Sequence, residues 1–263
     1  MSPYIAIIKI RLIALLQYRG AALAGIATQA FWAIIRTAIF TAFFASSMTA
    51  QPLSLSQTIT LVWLGQALLQ LLPWNVDADI EQQVKNGDVA YELARPLHLY
   101  GLWFARSIAM RISPASLPCI PVLLSLGFWY GLSPPASTTA FLTFVLSIFS
   151  ALLLSAAMTT CVITSLFWTL CGQGVQRLLP HFSLFLSGLL VPLPLLPSWL
   201  QTFAAMQPFR GIIDIPCRLY TGLIPVAEAP LYIGFQLLWT VFFIWLGKTV
   251  LTKGLARFEI QGG

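Results

Sequence analysis

The sequence predicts an all-α membrane protein with six transmembrane helices, and three observations lead to that fold class. Hydrophobic residues make up 58% of the 263 residues and charged residues only 8%, whereas soluble domains carry about 25% charged residues. The mean hydropathy is +0.84. Six apolar runs approach the roughly 20 residues that a helix needs to cross a hydrocarbon core of about 30 Å. Together these observations exclude a soluble enzyme, a secreted disulfide domain and a disordered chain.

A short apolar segment at about 4–19 precedes the first span and contains Lys9 and Arg11. A secretory signal would carry its charges before the apolar region rather than inside it. The segment is therefore predicted to form a helix at the membrane surface, with its long basic side chains reaching water.

The six predicted spans belong to a single transmembrane domain, 1–263, and leave both termini on one side. They are 21–45, 55–74, 112–130, 139–166, 177–194 and 229–247. The side with the termini holds eleven Lys and Arg residues, and the opposite side holds only Arg210 and Arg218. Because positively charged loops stay in the cytoplasm, both termini are predicted to be cytoplasmic. The eleven residues are Lys9, Arg11, Arg19, Lys85, Arg95, Arg106, Arg111, Arg177, Lys248, Lys253 and Arg257.

Two connections between the spans are unusual. The inner loop 75–111 is the most polar part of the chain, and the outer segment 195–230 is apolar but rich in proline. Because non-helical backbone cannot face lipid, the outer segment is predicted to be a re-entrant pair of short helices. The alternative is an irregular seventh span plus a surface helix, which would put the C-terminus outside.

The inner loop contains a short predicted helix that Asn75 or Asp77 can cap and that Asn86-Gly87 can end. Acidic residues have little effect on membrane topology, so the cluster of acidic residues in this loop needs another explanation. One reason is contact with a basic groove on a cytoplasmic partner, and the alternative is a solvated loop. The predicted contact residues are Asp77, Asp79, Glu81, Lys85, Asp88 and Glu92.

Polar side chains lie within the first two spans. Arg36 is about 13 Å from the outer end of span one, where an unpaired Arg costs roughly 2.5–3.5 kcal/mol. A rotation of 100° per residue puts Thr28, Gln29 and Arg36 on one stripe, and Gln66 and Gln70 form a similar stripe on span two. These stripes either line a translocation path or hydrogen-bond between helices.

The fourth span carries a repeat of small residues at every fourth position. Small residues at this spacing let two helices approach closely, so the repeat is interpreted as a packing surface alone. Its members are Ser147, Ala151, Ser155 and Thr159.

The sequence pattern predicts no catalytic, cofactor or metal site. His98 and His181 are the only histidines, and the four cysteines form no C-x-x-C pair, so neither a zinc site nor a disulfide framework is predicted. Gly247-Lys248-Thr249 resembles the end of a phosphate-binding loop, but Phe242 stands where its first Gly is needed. The basic residues are not clustered, so nucleic-acid binding is not predicted.

Three segments carry a resemblance to a known family. They are Asn86–Tyr100 (NGDVAYELARPLHLY), Ser187–Trp199 (SGLLVPLPLLPSW) followed by Gln207-Pro-Phe, and the ending Glu259–Gly263 (EIQGG). The whole chain resembles the permease subunits of ABC-2 type ATP-binding-cassette exporters, and within them the multidrug or daunorubicin-type branch.

The resemblance implies a non-catalytic subunit in the bacterial cytoplasmic (inner) membrane, surrounded by membrane lipids. A cassette ATPase dimer would bind ATP and Mg, and a second permease would complete the path, with a heterodimer favoured and a homodimer possible. The acidic helix would be the coupling helix, contacting the ATPase through about Asp77–Glu92. The cargo is expected to be amphipathic or lipid-like, such as a drug, peptide or lipid. The outer gate would include Leu189, Pro192, Pro194 and Pro197.

Two other functions are compatible with the sequence. Arg36 and the outer residues Arg210, Asp214 and Arg218 suggest a membrane-embedded lipid-modifying enzyme. An assembly factor for another membrane complex is the third interpretation.

Overall fold

Every regular element in the described part of the chain is helical. A computed structural model describes residues 3–15, 19–48, 50–73, 76–94, 96–112, 119–169 and 173–256. The family-like ending Glu259–Gly263, the basic residues Arg95 and Arg257, and the first part of predicted span three lie outside these residues.

Three stretches are long and apolar enough to cross a membrane: Leu23–Ser46, Thr138–Trp168 and Val226–Leu255. They correspond to helix α2 (Arg19–Ser46), to α8 (Thr138–Thr164) with the short α9 (Leu166–Thr169), and to α13 (Ala229–Leu255). The α8 helix begins where Ser137 accepts a hydrogen bond from the backbone N–H of Ala140 at 3.0 Å. Predicted spans one, four and six are therefore confirmed as long apolar helices.

The other three predicted spans contain shorter helices. α3 (Leu55–Ala67) begins at a capping box between Ser54 and Gln57 and is followed by a 3₁₀ turn, Leu69–Leu71. α7 (Cys119–Trp129) and α10 (Gln173–Leu186) occupy the regions of spans three and five. At 1.5 Å per residue, the 13 residues of α3 cover only about 20 Å, so the count of six spans stays a prediction.

Helices also occupy the N-terminal segment and most of the predicted polar loop. α1 (Pro3–Leu15) packs against α6 (Leu99–Arg111). Two short helices, α4 (Ala78–Asn86) and α5 (Val89–Leu93), precede α6. The second half of the loop is therefore a largely buried helix, because Leu99, Leu102 and Trp103 pack into the interior.

Short helices fill the outer segment 195–230, as predicted. They are α11 (Ser198–Met206), a 3₁₀ turn at Pro208–Gly211, α12 (Asp214–Tyr220) and a second 3₁₀ turn at Val226–Glu228. A re-entrant course through the bilayer stays a prediction.

The bundle is organised around α8, which packs against α13, α12 and α6. Gln236 of α13 is fully buried. Its amide donates hydrogen bonds to the carbonyl oxygens of Gly211 at 2.6 Å and of Ser147 at 3.2 Å. This side chain joins α8, α13 and the outer segment.

Candidate functional site

The α4 helix forms where its terminal signals predict it. The side chain of Asp77 accepts a hydrogen bond from the backbone N–H of Asp79 at 3.1 Å, while Asp79 and Glu81 occupy the first turn, where the helix dipole favours negative charge. Gly87 ends the helix with a φ of 82°, a left-handed conformation that glycine adopts without strain. Asp77 is confirmed as the cap, and the other predicted cap, Asn75, lies outside the described residues.

Arg106 of α6 holds both short helices from the interior. Its Nε donates to Asp77 Oδ2 at 2.9 Å, and its Nη1 donates to Glu92 Oε1 at 3.3 Å. Its Nη2 lies 3.4 Å from Asp79 Oδ2. Trp103 Nε1 donates to the other oxygen of Glu92 at 2.8 Å. Because charge-assisted hydrogen bonds are strong and directional, this cluster fixes α4 and α5 to α6.

The six predicted contact residues fall into a buried group and a group at or near the surface. Asp77 and Glu92 are buried against Arg106 and belong to the interior. The side chain of Asp79 bridges the two groups, because it is 65% exposed while one oxygen faces Arg106. Tyr91, 76% exposed, adds an aromatic ring to this surface that the charge pattern does not predict. The residues at or near the surface are Asp79, Glu81, Lys85 and Asp88.

The small-residue repeat of α8 binds a buried arginine. Arg111, at the end of α6, donates from Nε to Ser155 Oγ at 2.5 Å and from Nη2 to Thr159 Oγ1. Ser147 of the same repeat donates to Gln236 Oε1 at 3.1 Å. The interpretation of the repeat as packing alone is therefore wrong at these positions, because their hydroxyls bind polar partners. The result is a charged hydrogen-bonded link between α6 and α8.

Arg36 connects the first long helix to Leu189, the first of the predicted gate residues. Its Nη1 donates to the carbonyl oxygen of Leu189 at 2.7 Å, and Leu189 itself is buried against Gly65 of α3. Of the other predicted path residues, Gln29 and Gln66 are buried. The exposed Thr28 hydrogen-bonds to its own helix, and Gln70 is half-buried. Arg36 is thus the path candidate that touches a gate candidate.

The predicted gate residues bracket a tight turn in the chain. Pro192 precedes a 3₁₀ turn at Leu193–Leu195, and Pro197 lies directly before α11. Pro192 is buried, Pro194 is half-buried and Pro197 is exposed. Gln207 fixes the far end of this region. Its amide donates to the carbonyl oxygens of Leu186 at 2.8 Å and Ala204 at 2.9 Å, and its oxygen accepts from the N–H of Phe209 at 2.6 Å.

An ion triad lies beside these gate residues. Asp214 Oδ2 is 3.3 Å from Arg210 Nη2 and 3.6 Å from Arg218 Nη1. All three side chains line a cavity of about 160 Å³ together with Leu193 and Pro194. The carboxylate on which the lipid-modifying alternative depends is therefore engaged by two guanidinium groups.

Comparison with known protein families decides what kind of protein carries these features. The model of a family described as ABC-2 family transporter protein matches residues 32–262. The chain belongs to the ABC-2 transporter family. No curated protein and no solved structure matches it.

Membership in the ABC-2 family, with the long apolar helices, makes the chain an integral membrane protein with a permease role in an ABC transporter. Permeases of this family are generally non-catalytic transport components, and the family implies association with an ATPase subunit. The predicted family is therefore confirmed, while the daunorubicin-type branch stays a prediction.

Proposed function

We propose that this ABC-2 permease is the transmembrane subunit of an ATP-driven exporter and that it docks on its ATPase through α4 and α5. The observation that carries the proposal is the two-sided character of this segment. The side that faces the helix bundle is fixed by Arg106, whereas the exposed side presents Asp79, Asp88 and the ring of Tyr91. A surface that moves a membrane domain must be both accessible to a partner and firmly attached to that domain. In this proposal the chain binds no cofactor, and ATP and Mg²⁺ bind to the ATPase.

Movement of α4 and α5 would pass to the bundle through two arginines. Arg106 attaches these short helices to the middle of α6, and Arg111 attaches the end of α6 to α8. Further along α8, Ser147 meets Gln236, which also binds Gly211 of the outer segment. These hydrogen bonds, connected through the α6 and α8 helices, support a mechanical route from the ATPase side to the outer side. It is a structural route, and mutational coupling is its test.

The outer gate is proposed to lie around Leu189, Pro192, Pro194 and Pro197. The bond from Arg36 to Leu189 supports this assignment, because a charged residue of the first span then holds the gate backbone directly. Rotation of α2 would break or remake one hydrogen bond at the gate. We infer that Arg36, with Thr28, Gln29, Gln66 and Gln70, lines the path.

A second permease is proposed to face α2. Only 17% of the apolar window of α2 is buried within this chain, so most of the helix is open to lipid or to another subunit. Thr28 of the polar stripe is exposed on that open side, and polar residues within a span are expected to face protein or water rather than lipid, which supports a partner at this helix. We favour a heterodimer, with a homodimer as the other arrangement, six spans per chain, and an amphipathic or lipid-like cargo. Both termini would lie in the cytoplasm of a bacterial cell, beneath its inner membrane.

The docking proposal is tested by capture of the ATPase from membranes that contain the tagged chain. Bound ATPase is detected by photolabelling with 8-azido-ATP. The double change Asp88→Lys with Tyr91→Ala, which alters two exposed residues that do not contact Arg106, should reduce the labelled, co-purified ATPase at least severalfold. Glu228→Lys is the matched control, because it reverses an exposed acid beside α13 in the outer segment. Equal recovery with the double variant and the control would overturn the proposal.

A further inference from the structure

A cavity of about 740 Å³ lies between α1, α6 and α13; Leu93 at the end of α5 borders it, and none of the proposed gate residues lines it. Its walls are mainly apolar, and the described residues that line it include no Asp or Glu. One charged residue, Lys248, lies on its α13 side. The apolar part is formed by Leu97, Phe104, Ile244, Leu251 and Leu255.

The position of Lys248 along α13 indicates where the cavity lies relative to the membrane. Lys248 follows Ala229, the first residue of α13, by nineteen positions, which is about 28 Å along the helix axis. This length matches a hydrocarbon core of about 30 Å. A helix that enters the hydrocarbon core at Ala229 would therefore bring Lys248 to the opposite membrane–water boundary, where lipid headgroups are found.

A second polar group lines the cavity on its α6 side. Tyr100 of α6 is buried, and its hydroxyl has no hydrogen-bond partner among the described residues. The Nζ of Lys248 lies 5.9 Å from the centre of the Tyr100 ring. Gly247 permits this approach, because a Cβ at that position would lie 2.8 Å from Tyr100 Cε2. The cavity thus combines a cation, an unused hydroxyl donor and apolar walls.

We propose that this cavity binds an anionic phospholipid, with the phosphate at Lys248 and Tyr100 and an acyl chain along Ile244 and Phe104, which lie on the hydrocarbon side of Lys248. A buried hydroxyl without a partner is costly, and a phosphate oxygen would accept its hydrogen bond. Basic pockets between transmembrane helices bind anionic headgroups in this way. The apolar walls favour a lipid over free phosphate. Assignment to the cytoplasmic leaflet rests on the orientation in the proposed function, whereas lipid binding itself does not.

The test uses the purified full-length chain in dodecyl maltoside, titrated with dioleoyl-phosphatidylglycerol while the thermal unfolding midpoint is measured. The midpoint should rise with this lipid and rise much less with dioleoyl-phosphatidylcholine or inorganic phosphate. Lys248→Gln should weaken the apparent affinity about fivefold, the size expected for one lysine–lipid charge contact. Lys253→Gln is the matched control, because Lys253 is exposed on the same helix and does not line the cavity.

A second variant tests the cavity itself while keeping the charge. Thr252 lines the cavity, so Thr252→Trp should fill it and reduce the phosphatidylglycerol retained in native mass spectrometry. Equal effects of the two lipids, an equal response to inorganic phosphate, equal losses in the two lysine variants, or full retention by Thr252→Trp would each overturn the proposal. These measurements use the purified chain without the ATPase. Failure of the lipid proposal and failure of the proposed ATPase docking therefore give different results.

Discussion

Arg36 of α2 donates a hydrogen bond of 2.7 Å to the carbonyl oxygen of Leu189, a residue 153 positions later in the chain. The bond joins a long apolar helix to the backbone of the proposed outer gate. Both interpretations of Arg36, as a helix-to-helix link and as part of the path, are compatible with this contact. They differ in what removal of the side chain should do.

Replacing Arg36 should loosen the outer gate without preventing assembly. Arg36→Ala removes a charged donor, and hydrogen bonds to charged groups contribute about 1.5–3 kcal/mol. The backbone around Leu189 should then move more freely. In a cysteine-free background, Leu190→Cys should react faster with an impermeant maleimide when Arg36→Ala is also present.

The control for Arg36 lies on the same helix. Thr41→Val removes only a local hydrogen bond, from Thr41 to the carbonyl oxygen of Thr37, so labelling at position 190 should be unchanged. Loss of the complex with the ATPase in Arg36→Ala, without faster labelling, would instead show that Arg36 serves assembly alone.

Replacing Arg106 should detach α4 and α5 from the rest of the helix bundle. Arg106→Gln leaves Asp77 and Glu92 buried without their cation, and removing one partner of a buried ion pair costs about 3–5 kcal/mol. Thermal unfolding in detergent should therefore begin at a clearly lower temperature.

A surface charge pair provides the comparison for Arg106. Lys85 and Glu81 form an exposed (i, i+4) pair at 2.6 Å, and such pairs contribute about 0.3–0.5 kcal/mol. Lys85→Gln should therefore shift unfolding very little. An unfolding temperature as low as that of Arg106→Gln would contradict the anchoring role of the buried cluster.

Local signals in the sequence predict some of these elements well. The start of α4 at Asp77 and its end at Gly87 depend on residues within one turn of the helix ends. The extent of α8 and the start of α13 follow from apolar runs, whereas α13 continues past the predicted end at 247 to Leu255. The partners of Arg106 could not be predicted in the same way. Asp77, Asp79 and Glu92 meet this arginine only because α4 and α5 fold back onto α6.

The same limit applies to the small-residue repeat of α8. A repeat of small residues at every fourth position has the same sequence pattern whether its hydroxyls face a helix backbone or a guanidinium group. Only the position of Arg111 beside Ser155 and Thr159 distinguishes the two cases. Polar contacts between distant segments are therefore the part of the candidate site that one sequence does not reveal.

Removing the hydroxyls that bind Arg111 should destabilise the bundle more than their size suggests. Ser155→Ala with Thr159→Val leaves a buried guanidinium with two unsatisfied donors, and each such group costs about 1–3 kcal/mol. The unfolding temperature should fall. Adding Arg111→Met to the pair should recover part of the loss, because the unsatisfied charge is then absent. If the triple variant is as unstable as the sum of its parts, Arg111 does not depend on these hydroxyls.

Neutralising Asp214 should disorganise the outer segment selectively. Asp214→Asn leaves Arg210 and Arg218 close together without the carboxylate between them. The expected cost is about 3–5 kcal/mol, as for other buried pairs that lose one partner. Protease added to the outer face of sealed vesicles should cleave within 195–230 faster than in the unaltered chain.

Glu228→Gln, which neutralises an exposed acid in the same segment, should not change the cleavage rate. Adding Arg210→Gln to Asp214→Asn should slow cleavage again, because one of the two like charges is removed. Equal cleavage of Asp214→Asn and Glu228→Gln would mean that the triad does not stabilise the gate region.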